Sequence, residues 1–149
     1  MAGIKVIAKN KKARFNYELG DRFEAGIVLT GTEVKSLRLG KASLGEAYAK
    51  FKNEEFWLVG AQIQPYPFAY YSNHEPTRER KLLLHKREIK RLAGKLAEEG
   101  QALIPLALYF KDGKVKVELA LGKGKKLYDK RATLKKRDQD REMARALKR

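Results

Sequence analysis

Three stretches carry the side chains best suited to chemistry, and that chemistry is phosphate binding. NKKAR at 10–14 sets an amide, Asn10, beside Lys11, Lys12 and Arg14. RERKLLLHKREIKR at 78–91 places Arg78, Arg80, Lys81, Arg87 and Arg91 around a leucine triplet that includes Leu83. GKGKKLYDKR at 122–131 brings Lys125, Lys126, Lys130 and Arg131 together with Asp129 and one aromatic ring, Tyr128. Ammonium and guanidinium groups neutralise phosphate oxygens, and an amide can hydrogen-bond an RNA backbone or a base edge. A flat ring can stack on an exposed base, worth about 1–3 kcal/mol. Gly122 and Gly124 let the chain leave a strand and approach another backbone closely.

Covalent chemistry has little to work with. Cysteine is absent, which removes disulfides, thiolate metal sites and cysteine nucleophiles. The two histidines, His74 and His85, are eleven residues apart, which does not match a zinc-binding helix. Both are expected as surface or RNA-facing side chains. GKGKKL at 122–127 lacks the spacing of a phosphate-cradling loop, and it leaves a strand for a polar segment. Ser36 and Ser43 have no base beside them in sequence, and Glu54-Glu55 sits in a turn. The expectation is a binding protein rather than an enzyme, with no metal or other cofactor.

The formal charge of +16, from 34 basic and 18 acidic residues, is unevenly distributed. Residues 1–17 hold five cations and no acid, residues 78–95 are net +6, and residues 122–149 are net +8. A solvated surface ordinarily mixes both signs. Clustered positive charge on a body that is otherwise slightly acidic is the footprint of a nucleic-acid partner. No apolar run approaches the length of a bilayer span, the first residues lack a signal-peptide block, and no basic amphipathic segment carries an interfacial apolar face. The expectation is no membrane partner and a cytoplasmic location.

The elements that must position these groups read as mainly β. EAGIVLTGT (24–32) is a strand, with Gly26 marking a bulge or close backbone approach. Whether 13–19 enters it as strand or short helix is left open by the pattern. Thr30 and Glu33 have capping-box spacing and predict a short helix, with Val34 and Leu37 on one face and Lys35 and Arg38 elsewhere. Residues 44–52 alternate, with Ala47, Ala49 and Phe51 on one phase. They turn at Asn53–Glu55 and return as a strand from Phe56 to Ile63. PYPFAYYSNHEP (65–76) is an ordered, aromatic-rich loop. Residues 86–99 are helical, with an apolar stripe of Ile89, Leu92, Ala93, Leu96 and Ala97, a cationic face of Arg87, Lys90, Arg91 and Lys95, and Gly100 as the stop. ALIPLALYF and VKVELAL form a hairpin on Asp112-Gly113, with Pro105 marking an edge or a bulge. Five or six short strands and one long helix predict an OB-like antiparallel β-barrel with flanking helices, over 1–121.

Residues 122–149 are a separate basic tail. They are good helix formers, yet 135–142 contains no apolar residue. A helix that is polar all round has no core to hold it, and like charges add to an ordering cost of about 1–2 kcal/mol per residue. The tail is expected to be disordered alone and helical on a polyanion.

GTEVKSLR (31–38), EPTRERKLLLHKREI (75–89) and GKGKKLYDKR (122–131), with NKKARFNY (10–17) and EAGIVLTG (24–31), resemble the small protein B (SmpB) family, in order and over essentially the whole chain. The resemblance implies a monomeric bacterial protein that binds the tRNA-like domain of transfer-messenger RNA (tmRNA, or SsrA RNA). It implies delivery of alanyl-tmRNA, with elongation factor Tu, to stalled 70S ribosomes, where the tail enters the decoding centre and the empty mRNA channel. A tmRNA-facing surface is implied at Asn10, Lys11, Lys12, Glu24 and the Arg80–Lys81–Leu83 neighbourhood. Charge adds Arg14, Lys35, Arg38, Arg78, Arg87 and Arg91 as candidate contacts. A decoding-centre motif is implied at Gly124, Lys125, Lys126, Asp129, Lys130 and Arg131. Tyr128 stands where other members carry histidine, and either ring can stack on a base. The alternative is a ribosome-associated OB-fold RNA-binding protein or RNA chaperone with no decoding role.

Overall fold

The computed structural model describes residues 4–69 and 72–124. In chain order its elements are β1 (Ile4–Lys9), α1 (Ala13–Asn16), β2 (Tyr17–Ile27), α2 (Gly31–Arg38), β3 (Ala42–Ser43), β4 (Tyr48–Lys52), β5 (Glu55–Val59), β6 (Gln62–Ile63), β7 (Arg80–Leu83), α3 (Lys86–Glu99), β8 (Ala102–Lys111) and β9 (Lys114–Gly124). Strands β8, β4, β5, β7, β2 and β9 hydrogen-bond in that order, and β9 pairs back onto β8. The antiparallel sheet therefore closes into the expected OB-like barrel, which pairs edges that would otherwise be open. β1 adds to the far half of β8, and β3 with β6 forms a separate two-stranded piece.

Local chemistry explains most elements. Thr30 Oγ1 accepts from the Glu33 N–H at 3.4 Å, while Glu33 Oε1 accepts from the Thr30 N–H at 2.8 Å, so the predicted capping box starts α2. In α3 the His85 N–H donates to Glu88, and Gly100 ends the helix in the left-handed region at φ 60°. Leu92 is fully buried and Ile89 nearly so, joining Leu37 of α2 and Phe56, Leu58, Leu82, Leu103, Leu108, Val117 and Leu119 of the barrel in one core. Asp112 and Gly113 both take positive φ, which closes the β8–β9 hairpin in two residues with the strands' own twist. Pro105 sits at a register shift in that hairpin. It marks a bulge rather than an edge, because β8 is paired on both sides.

Several expectations need correction. β2 begins at Tyr17 and stops at Ile27, where a strand over 24–32 was expected. Its first half, YELGDRF, hides its alternation behind a register shift between Leu19 and Arg22. Gly26 marks close approach rather than a bulge: a Cβ there would lie 3.2 Å from the Leu83 Cβ. Phe51, on the same phase as the buried Ala47 and Ala49, is instead half-exposed at the hairpin tip against Phe56. Ala97 is exposed because the stripe on α3 runs past the end of its contact. β9 continues through Gly124, which pairs with Tyr17, so the boundary expected after residue 121 falls inside a strand. The tail from Lys125 onward lies outside the described residues.

The return strand expected over Phe56–Ile63 is broken at Gly60. Its φ is +81°, and an added Cβ would sit 2.9 Å from the Glu46 carbonyl oxygen. Both the backbone region and the space require glycine here. Gly60→Ala is expected to lower stability by about 1–3 kcal/mol. Chemical denaturation checks this, and an unchanged midpoint would show that the turn can relax.

Candidate nucleic-acid interface

The candidate side chains divide into those that reach solvent and those the fold has already committed. Lys11, Lys12 and Arg14 are exposed around the short link between β1 and β2. Asn10, beside them, is partly structural. Its N–H donates to the Leu106 carbonyl at 2.8 Å and its Nδ2 to the Pro105 carbonyl at 3.0 Å, fastening the turn to the bulge of β8. Asn10 Oδ1 is buried with no hydrogen-bond partner among the described residues. The residue lines a cavity of about 250 Å³ together with Asn16, Tyr17, Glu46 and Tyr48. The amide thus holds the lysines in register and keeps one acceptor open.

A second face forms where β2, β7, β8 and β9 meet. Glu24 on β2 accepts from the Tyr109 hydroxyl, and Lys111 Nζ lies 3.3 Å from both of its carboxylate oxygens. The Tyr109 hydroxyl, opposed by partial burial and helped by Lys111, holds the Glu24 carboxyl below its ordinary value. Burial first, and then Glu24, raises the phenol. Two positions along β2, Gly26 allows Leu83 to lie across it. Leu83 and Val28 remain about half-exposed. They adjoin a depression of about 410 Å³ whose lining includes Gly26, Val34, Leu83, Lys114 and Lys116. Exposed leucine beside two lysines, Lys114 and Lys116, suits an RNA surface, where phosphate and ribose or base alternate.

Tyr109, Lys111, Lys114 and Lys116, which share this face, are not among the candidates named from the sequence. The signal was present in KDGKVKVEL, where Lys114 and Lys116 fall on one phase of a strand. Their relation to Glu24 depends on the β2–β9 register, Gly26 opposite Lys116.

The run RERKLLL is not a phosphate ladder. Arg80, expected to face RNA, is fully buried and paired with Glu33, itself fully buried. It also donates to the carbonyls of Ala61, Glu75 and Pro76. Arg78 Nη2 donates to Glu33 Oε1 at 2.6 Å and to the Val28 carbonyl. A carboxylate in the core must be paired and hydrogen-bonded, and these two guanidiniums do that. Lys81 keeps partial exposure, 3.8 Å from Glu55. Of the leucine triplet, Leu82 is buried, Leu84 packs partly against the core, and Leu83 faces out. His74 also departs from expectation. It is buried, with Nε2 2.8 Å from the Ile63 carbonyl and Nδ1 3.0 Å from Thr32 Oγ1.

On α3, Arg87 and Lys90 are exposed, whereas Arg91 bonds Asp21 at 2.7 Å and lies 5.7 Å over the Phe23 ring. Arg38 is exposed on α2, and Lys35 Nζ lies 5.7 Å from the Tyr66 ring centre. Gly124 ends β9 beside Tyr17. Lys125, Lys126, Tyr128, Asp129, Lys130 and Arg131 lie outside the described residues.

A closed OB-like barrel with cations gathered at its N-terminal turn and along the β8–β9 hairpin belongs to the class of phosphate-binding, nucleic-acid-facing modules. A family model described as SmpB protein matches residues 7–149. An SsrA-binding protein of Afipia carboxidovorans is 60% identical over 146 residues, spanning 97% of this chain and 93% of the relative. One from Acidothermus cellulolyticus is also 60% identical, over 98% and 92%. One from Geobacter metallireducens is 56% identical, over 98% and 95%. A solved structure, "tmRNA-SmpB: a journey to the center of the bacterial ribosome", superposes with a TM-score of 0.66 at 48% identity, covering 80% of this chain and 84% of that one. The chain belongs to the SmpB family.

Proposed function

We propose that this protein binds tmRNA through its barrel and acts with it on stalled ribosomes in trans-translation. The observation that carries the reading is the convergence of Glu24, Leu83, Lys111 and Lys116 from four strands onto one face, beside a family match along nearly the whole chain. Lys11, Lys12, Arg14, Lys114 and Lys116 neutralise phosphates of the tRNA-like domain. Glu24 contacts no phosphate, because its charge would repel one. It fixes Tyr109 and Lys111 so that the lysine meets the RNA already ordered. Leu83 packs against ribose or base. The surface performs recognition only; no step in this reading makes or breaks a bond on the protein, and the chemistry of tagging belongs to the RNA and the ribosome.

The protein acts as a cytoplasmic monomer, delivers alanyl-tmRNA with elongation factor Tu, and places residues 125–149 in the decoding centre and vacant mRNA channel. The domain division follows the end of β9, with the barrel up to Gly124 binding RNA and the tail reading the ribosome.

Titrating the full chain with a labelled tRNA-like domain over a range of salt tests this. Removing one cation that meets a phosphate should flatten the log–log slope by about 0.7–0.9. Lys116→Ala is expected to weaken binding and to flatten the slope by one such step. Leu83→Ala is expected to weaken binding at an unchanged slope. Wild-type affinity in both variants would refute the assignment of this face.

A further inference from the structure

The loop between β6 and β7 is not used by the interface above, yet it is built with care. Asn73 clamps Tyr66 from both sides: Oδ1 accepts from the Tyr66 N–H at 3.0 Å and Nδ2 donates to the Tyr66 carbonyl at 2.8 Å. The Ala69 N–H closes a turn onto the same carbonyl at 3.2 Å. Below the clamp, Ser36 Oγ donates to the Gln64 carbonyl at 2.6 Å, and His74 bridges Ile63 and Thr32. The loop base is therefore fixed to α2. At its tip Phe68 is 74% exposed, the most exposed large apolar side chain among the described residues. Its ring meets Tyr66 edge-on, with centres 5.6 Å apart at 72°. A hydrogen-bonded turn over Tyr66–Ala69 that holds a phenyl ring out in water gives up the apolar burial available to it.

We propose that the Tyr66–Phe68 pair, beside Lys35, is a stacking site for an unpaired RNA base, separate from the Leu83 face. The charge around it selects the partner. Segment 34–41, VKSLRLGK, carries Lys35, Arg38 and Lys41 and no acid, and residues 62–73 carry no charge of either sign. A flat apolar surface with an ammonium beside it matches a nucleotide, with the ring taking the base and Lys35 the phosphate. Helix α2 divides this site from the other. Val34 lines the depression under Leu83, whereas Lys35, about 100° further round the helix, reaches the Tyr66 ring. Two faces on one barrel let the protein hold structured RNA on one and a single strand on the other.

This inference rests on the RNA-binding reading, and the test separates the two. The full chain is titrated, by fluorescence anisotropy, with a fluorescein-labelled unpaired oligoribonucleotide of about twelve nucleotides, and in parallel with the tRNA-like domain. Phe68→Ala is expected to weaken oligonucleotide binding roughly tenfold with an unchanged salt slope. Phe68→Trp is expected to retain or strengthen it. Phe68→Leu, which keeps apolar area but has no π-face, is expected to behave like the alanine variant. Lys35→Ala should flatten the slope by about 0.7. Circular dichroism confirms folding, which an exposed side chain leaves unaffected. Oligonucleotide binding unchanged in Phe68→Ala, or preserved in Phe68→Leu, overturns the stacking site. Failure of the wild-type chain to bind either RNA overturns the RNA-binding reading itself.

Discussion

Glu33→Ala is expected to remove about 3–5 kcal/mol of folding stability, a large share of the roughly 5–15 kcal/mol that holds a domain of this size. The carboxylate is fully buried, pairs with the fully buried Arg80, bonds Arg78, and caps α2 through the Thr30 N–H. Alanine leaves the Arg80 guanidinium in the core with carbonyl oxygens but no counter-charge. Most of the loss is that stranded charge rather than the value of the bond itself. Two comparisons separate the parts. Thr30→Ala, which removes the hydroxyl half of the cap, should cost about 1 kcal/mol. Glu33→Met combined with Arg80→Met should be less damaging than Glu33→Ala alone, because no unpaired charge is left in the core; Arg78, which also loses Glu33, is one-third exposed and reaches solvent. Urea denaturation of the four proteins checks the order, and a loss under about 1 kcal/mol for Glu33→Ala would mean that Arg80 finds water.

The same network predicts an acid limit. Burial pushes the Glu33 carboxyl up, but Arg78, the Thr30 N–H and Arg80 together outweigh it and hold it below its ordinary value. A carboxylate depressed in the folded state stabilises fully above its unfolded value of about 4.3. That contribution is lost as pH falls through the lower folded value. Wild-type stability should therefore fall with acid below about pH 4.3, and the double methionine variant should fall less steeply there.

Truncation after Gly124 is expected to leave the unfolding midpoint and the affinity for the tRNA-like domain near wild type, while tagging on stalled ribosomes falls to background. The place of the cut matters. β9 pairs with β2 through Gly124, and Gly122 lies so close under Tyr17 that an added Cβ would be 3.1 Å from the Tyr17 Cβ. Ending the chain at Leu121 would strip three residues from that ladder and confuse a folding defect with a decoding defect. Lys125→Ala with Lys126→Ala should match the truncation in direction, since these lysines open the implied decoding motif. Binding assays and a tagging assay on ribosomes without a stop codon distinguish the outcomes. If truncation weakens RNA binding and tagging equally, the RNA-chaperone alternative is the better description.

These experiments exploit an uneven legibility. The α2 cap, the α3 stripe, the Gly100 stop and the Asp112-Gly113 turn could be read from residues within a few positions of one another, because caps, helical periodicity and turn conformations are short-range physics. The motifs that placed the chain near SmpB are likewise local strings. What was misjudged depended on distant partners. Arg80 looked like an RNA ligand in a basic run, and its burial is explained by a carboxylate 47 residues away. Lys111 and Tyr109 looked like an unremarkable strand end, yet each bonds Glu24 more than 80 residues earlier.

By itself, the amino-acid order determined the class of partner, the kinds of element and the family, since charge density, apolar period and turn residues need no neighbours to be counted. Tertiary structure alone decided which cations are exposed and which leucine of the triplet faces out. Strand register supplies the reason. With Ile27 opposite Leu82 and Gly26 opposite Leu83, alternation along β7 sends Leu82 into the core and leaves Leu83 on the surface, whereas a slip of one residue would exchange them.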